Sequence, residues 1–198
     1  YLLKAHRLQV HQEVCLFLRK MRQVTPIGDE TAALLASYLE ECHFARKEMI
    51  LRSGVCSRYA WFVEKGMSRH FWLEEGKESV TSFSLEGGVI FSMDEFYYGE
   101  VSQEYAQAVE PIDAWRIELS DFERLFCENI ELCNWGRLIH QHEYRRLHQS
   151  HRERLTLPAA ARYEAFKRQF PEVCGRAALG DIASYLGIDQ STLSRIRA

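Results

Sequence analysis

The sequence predicts an α+β chain: an antiparallel β-sandwich or roll in the front half, a long helix behind it, and a helix-turn-helix at the C-terminus. Three observations carry this. Between His43 and Ile117, short segments rich in β-branched and aromatic residues recur at even spacing, with turn residues between them. After Ser120 the apolar residues return at helical spacing and keep it to the end. Residues 179–198 then place a small residue, a glycine and apolar positions in the order that two steeply crossing helices need.

The elements follow in order. Leu8, Val14, Leu16, Phe17, Leu18 and Met21 stand among polar residues as one face of an amphipathic helix over residues 1–24. Thr25-Pro26-Ile27-Gly28-Asp29-Glu30 reads as a helix start, with Leu34, Leu35, Tyr38 and Leu39 following at helical spacing. Strands are expected at Met49–Leu51, Tyr59–Val63, Ser68–Leu73, Ser79–Phe83, Val89–Phe91, Tyr105–Val109 and Ala114–Ile117. Glu75-Gly76-Lys77 suits a hairpin turn, because glycine accepts the positive φ such turns require. Ser120-Asp121-Phe122-Glu123 has capping-box spacing and opens a helix running to about Leu155. Leu125, Leu132 and Ile139 repeat every seven residues, with Trp135 and His142 as a companion series, so these five are the expected dimer seam. Thr156-Leu157-Pro158 starts a further helix that Pro171 ends. The chain therefore divides into residues 1–119, 120–155 and 156–198. It has no internal repeat or low-complexity stretch.

Charge is uneven. The whole chain carries −3, but residues 137–198 hold 11 Lys+Arg against 6 Asp+Glu, leaving an acidic front. Only the back is suited to a polyanion. No apolar run approaches the roughly 18 residues of a membrane span. The opening Tyr1–His6 has no secretion-signal pattern, and none of the six cysteines pairs as C-x-x-C. Reduced thiols in a cytoplasmic protein without a metal are the expectation. His140, His142, His148 and His151 belong with neighbouring arginines to a solvated basic face. No Gly-x-Ser-x-Gly elbow, phosphate loop or His-Glu-x-x-His helix supports an enzyme, so no catalytic residue is assigned.

The last stretch is the most informative. Ala183 is the small residue where the two helices touch, and Gly187 allows the tight turn. Ile182, Leu186, Ile188, Leu193 and Ile196 supply the shared core, and Asp189 or its neighbour can cap the second helix. Gln190, Ser191, Thr192, Ser194, Arg195 and Arg197 then form a DNA-binding set. Glutamine suits adenine and arginine suits guanine in a major groove. Arg195 is the expected base contact, with Arg197 and Arg176 on the backbone.

Several stretches resemble the Crp/Fnr superfamily of transcription regulators, closest to its Bacteroidetes-type branch. These are Lys47–Gly54, Tyr59–Gly66, Leu155–Tyr163, Ile182–Ile188 and Leu193–Arg197. The resemblance implies a β-roll of double-stranded β-helix (jelly-roll) type, a long dimerisation helix and a winged helix-turn-helix, of which residues 156–198 hold the helix-turn-helix and not the wing. It implies a bacterial, cytoplasmic homodimer that binds double-stranded DNA and contacts RNA polymerase. Members that bind cyclic AMP use a Glu for the ribose and an Arg for the phosphate. Here Ser92 and Ser102 fall at those places, and a buried phosphate needs a charge partner. Cyclic AMP is therefore not expected as a cofactor. Another effector, or none, would meet Phe91, Ser92, Phe96, Ser102 and Tyr105, although the aromatic residues suit core filling as well. The N-terminal cysteine cluster of the oxygen-sensing branch is represented only by Cys15. A sensor or partner-binding module whose helix-turn-helix does not read DNA stays open as the other reading.

Overall fold

The computed structural model describes residues 15–198. The part of the expected first helix before Cys15, with Leu8 and Val14, lies outside the described residues. The elements are α1 (Leu16–Val24), α2 (Asp29–Ser37), β1 (Glu40–Phe44), β2 (Met49–Leu51), β3 (Tyr59–Lys65), β4 (Ser68–Glu74), β5 (Lys77–Ser84), β6 (Val89–Ile90), α3 (Met93–Tyr98), β7 (Tyr105–Ala108) and β8 (Ile112–Glu118). After them come α4 (Leu119–Glu128), α5 (Ile130–Thr156), α6 (Ala159–Gln169), a 3₁₀ turn (Val173–Gly175), α7 (Leu179–Leu186) and α8 (Gln190–Arg197). The mixed helical and antiparallel class read from the sequence is what forms.

The strands make two four-stranded antiparallel sheets, ordered β1-β8-β3-β6 and β2-β7-β4-β5. Alternation along β3 shows how they are used. Trp61 and Val63 point between the sheets, against Ile50, Leu51, Ile90, Ala106, Ala108, Ile112 and Ala114. Ala60 and Phe62 point the other way, into a core shared with the helices. β4 and β5 close through Glu75-Gly76, both at positive φ (51° and 77°), a two-residue turn whose twist matches that of the strands. β1, the strand with no expectation above, is a polar edge strand. Glu40, Glu41 and His43 face solvent while Cys42 and Phe44 turn toward the inter-sheet core, an alternation of only two apolar residues.

Each outer face of the roll is covered by helices. The β3/β8 face packs on α1, α2, α4 and α5: Phe17 stacks on Phe62 at 3.9 Å between ring centroids, and Trp135 meets Phe17 edge-on at 6.1 Å. The β4/β5 face packs on the C-terminal helices: Met67, Phe71, Val80 and Phe83 share one core with Tyr163, Phe166, Phe170, Ile182, Tyr185 and Leu186. The helix-turn-helix is thus built onto the roll by apolar burial, the largest single stabilising contribution available to it.

The helix expected from Ser120 to Leu155 is two helices. Asn129 breaks it with φ −123° and ψ 113°. Its Oδ1 accepts from the Glu131 and Leu132 amides at 3.0 and 3.1 Å, and its Nδ2 donates to Thr31 Oγ1 at 3.1 Å. The capping-box reading is also corrected: α4 is capped at Glu118 without a side-chain bond, and Ser120 lies inside the helix.

The break changes the seam. Leu125, Leu132 and Trp135 are buried in the protomer's own core, and Ile139 packs against it. They are unavailable to a second chain because they already cover the β3/β8 face. His142 alone of the five is exposed. The apolar residues that α5 presents to solvent are Ile130, Tyr144, Leu147 and Leu155, which are 75%, 72%, 52% and 74% exposed.

Among the described residues no helix is long and apolar enough to cross a membrane, and no group of three or more His, Cys, Asp or Glu is placed to hold a metal ion. Cys15 is buried against Glu64 (Sγ to Oε2, 3.3 Å), and burial pushes its thiol up to about 12, which leaves it unreactive.

Candidate nucleic-acid interface

The site starts from α6, whose Tyr163, Ala165 and Phe166 are buried. It runs through the 3₁₀ turn to α7, which buries Ile182, Ala183, Tyr185 and Leu186. Gly187 ends α7 in the left-handed region (φ 65°, ψ 42°), and its amide closes back on the Ala183 and Ser184 carbonyls. A Cβ there would meet only Arg162 Nη1 at 3.8 Å, so what demands glycine is backbone conformation rather than space. Asp189 takes the N-cap position of α8 without a side-chain bond, and Leu193 is fully buried.

What remains outward on α8 is polar. Gln190, Ser191, Ser194, Arg195 and Arg197 are exposed and Thr192 is half-buried. Arg195 lies along the helix, donating through Nε to the Ser191 carbonyl at 3.4 Å and through Nη2 to Thr192 Oγ1 at 3.3 Å. These long, single bonds leave most of its donors free. Arg195 and Arg197 also sit in the last turn, where the helix dipole favours cations.

Arg176, expected on the DNA backbone, lies apart from α8 and is engaged by the roll here. Its guanidinium faces the roll. It donates to Glu86 through Nη1 (3.0 Å) and Nη2 (2.7 Å), and to Glu110 through Nε (3.4 Å) and Nη2. Burial by itself would raise the Glu86 carboxyl, but Arg176 and the Gly66 amide outweigh it and hold the group near 2. Arg69 makes a second bridge, reaching Asp181 of α7 at 2.7 Å and Glu78 at 2.6 Å. Between them, Ser184 Oγ accepts from the Val80 amide at 2.9 Å, which satisfies an otherwise open donor of the edge strand β5.

The effector set does not converge. Ser92 caps α3 by accepting from the Glu95 amide at 3.2 Å, and Ser102 Oγ bonds the Glu104 backbone. Both are buried with their hydroxyls engaged. Phe91 and Phe96 belong to an aromatic cluster with Tyr97, Phe122 and Phe126. Tyr105 lies on the other sheet, stacked on Phe71 at 5.2 Å in the core shared with the helix-turn-helix.

Two polar residues not singled out from the sequence organise this end of the roll. Glu95 receives the Ser57 and Arg58 amides, both at 2.9 Å, tying α3 to that loop. Glu104 receives Thr81 Oγ1 at 2.6 Å and faces His70 Nδ1 at 3.4 Å. Their partners are 23 to 38 residues away, so no local pattern marks them. His140 is held between the Gly136 carbonyl and Tyr97 Oη, both at 2.7 Å. The carbonyl can only accept, so Nδ1 donates to it, and Nε2 faces the Tyr97 hydroxyl.

A family model described as the cyclic nucleotide-binding domain matches residues 41–129. Among solved structures, the chain is similar to FixK2 from Bradyrhizobium japonicum, with 20% identity, 80% of this chain and 82% of that chain covered, and a TM-score of 0.65. It is similar to a transcriptional regulator of the crp/fnr family from Eubacterium rectale (14% identity, 86% and 82% covered, TM-score 0.68). It is also similar to CLP, a c-di-GMP responsive global regulator from Xanthomonas campestris (12% identity, 85% and 89% covered, TM-score 0.68). No curated protein matches the sequence. At these identities the likeness is one of fold, and the fold is shared over most of each chain.

Proposed function

We propose that this chain, which joins a cyclic nucleotide-binding domain to the fold of the Crp/Fnr superfamily, is a sequence-specific DNA-binding transcription regulator that acts as a homodimer. The observation that carries the reading is the α7–Gly187–α8 unit. Its apolar side is consumed by the core, and its outward side is short, polar and basic. A major groove accepts such a helix, and Gln190 and Arg195 have the donors and acceptors that base edges require.

A two-fold dimer places two such helices about one DNA turn apart, so the operator is a palindrome. The α5 face carrying Tyr144, Leu147 and Leu155 supports the self-association, since exposed apolar side chains along one helix gain by covering each other. The roll reads an effector other than cyclic AMP, or none. Position 102 offers a serine already bonded to its own loop where a cyclic phosphate would need an arginine. A contact with RNA polymerase and a cytoplasmic site complete the reading.

Two measurements on the same preparation test it. Fluorescence anisotropy with double-stranded DNA is expected to give saturable, salt-dependent binding. Titration calorimetry with cyclic AMP is expected to give no heat at micromolar ligand. Binding of cyclic AMP at that level would contradict the effector part, and absence of DNA binding at low salt would contradict the main one.

A further inference from the structure

The contact between the helix-turn-helix and the roll is of two kinds. Phe83, Phe166 and Tyr185 pack together in its apolar centre, which is not selective for charge. Its margin is ionic and involves more carboxylates than guanidiniums: Glu86 and Glu110 on Arg176, and Glu78 and Asp181 on Arg69. Glu86 and Glu110 come from the β5–β6 and β7–β8 connections and converge on one arginine that lies 90 and 66 residues further along. The two Glu86 oxygens meet Nη1 and Nη2 as a fork, the way the two non-bridging oxygens of a phosphodiester can meet a guanidinium. Arg176 stands three residues before α7 and is the only Lys or Arg between Arg168 and Arg195.

We infer that Arg176 is an exchangeable latch: in the docked arrangement the roll carboxylates Glu86 and Glu110 hold it as stand-ins for a DNA phosphate, and DNA binding draws it away from them. The inference rests on the DNA-binding reading above and names a control on that site. It makes the docked form the lower-affinity form, because it withholds one phosphate contact and keeps an acidic margin beside the helix-turn-helix. It also explains why the ionic margin is on the rim of the contact and not in its centre, where exchange with an external anion would be blocked.

The test compares wild type with Glu86→Gln/Glu110→Gln and with the same pair carrying Arg176→Gln. The side-chain amide that Glu86→Gln introduces keeps a carbonyl oxygen as acceptor for the Gly66 amide, so the roll retains that bond. The single Glu110→Gln change serves as a milder variant should the pair fold poorly. Hydrogen exchange of α7 and β5 is read first and needs no DNA. Faster exchange there, with β3 unchanged, is expected in both variants, and exchange unchanged from wild type would overturn the latch. DNA affinity is read second, as a function of salt. The carboxylate pair is expected to bind about tenfold tighter, with a salt slope steeper by about 0.9, the increment for one phosphate contact. Adding Arg176→Gln is expected to remove both gains. Affinity that stays level or falls in the carboxylate variant would overturn the exchange of partners. If wild type and both variants bind no DNA at any salt, the DNA-binding reading itself fails, while the hydrogen-exchange result still decides whether Arg176 fastens the two parts.

Discussion

At the scale of residues, Arg195 and Gly187 have separable roles. Among the described residues Arg195 is exposed and hydrogen-bonds within its own helix, so Arg195→Ala should leave the melting temperature within about a degree or two and act on DNA alone. The expected loss is about 1–3 kcal/mol, with relaxed preference at one base pair, measured by competition among single-base operator variants. Equal affinity and unchanged preference would remove Arg195 from the interface. Gly187→Ala should do the reverse: about 1 kcal/mol or more of stability lost in chemical denaturation, because the left-handed region is costly for an L-residue even where space is open. Residues of this kind were legible in the sequence because their signals are local. Ala183, Gly187 and Leu193 stand within eleven positions and interpret one another. Arg176 was not legible in the same way. Its partners lie 66 and 90 residues up the chain, and a lone arginine gives no sign that roll carboxylates will take it.

At the scale of elements, α4 and α5 hold the main revision. A seven-residue apolar repeat specifies that one helix face is buried, but not against what. Leu125, Leu132 and Trp135 are buried against the roll, so any partner must use the opposite face. The two faces give contrasting outcomes. Leu132→Ala should cost roughly 2–5 kcal/mol of stability, as truncations in closed cores do. Tyr144→Asp with Leu147→Asp should leave the protomer folded and reduce the sedimenting mass from dimer to monomer. A folded dimer in the second variant would show that α5 is not the seam. The break at Asn129 had a signal, an asparagine two residues before a glutamate, of the type that caps helices. It was hidden because the apolar rhythm runs through it. The edge strand β1 was illegible for the opposite reason, since only Cys42 and Phe44 of its five residues turn inward, too short a rhythm to stand out.

At the scale of the whole molecule, the roll lies between two helical layers, and its two outer faces have different uses. Both are closed by apolar and aromatic packing, and the one toward the helix-turn-helix is also fastened at its rim by charge. The fold class was readable because strand rhythm and helical rhythm occupy separate stretches of sequence. The docking of the C-terminal helices onto β4 and β5 was not, because it depends on pairs such as Arg69–Asp181, 112 positions apart.

The ionic rim has a pH signature. Glu86 is held near 2, well below its ordinary 4.5, so its contribution is fully present above about pH 4.5 and is lost as the pH falls toward 2. The groups facing it are Arg176, Glu110, the Gly66 amide and, at its backbone carbonyl, Lys20. The stability difference between wild type and Glu86→Gln should therefore be flat from about pH 8 to 5 and shrink between 4.5 and 2. A difference that fades near neutrality would point to another group.

The central claim is that two recognition helices read a two-fold site on DNA. Its most direct test is selection of the full-length protein against a random pool of double-stranded DNA, sequenced after binding at two salt concentrations. A two-fold dimer is expected to enrich a palindrome with half-sites about one helical turn apart, bound more weakly at the higher salt. Salt-dependent retention with no enriched sequence, or no retention at either salt, would contradict it.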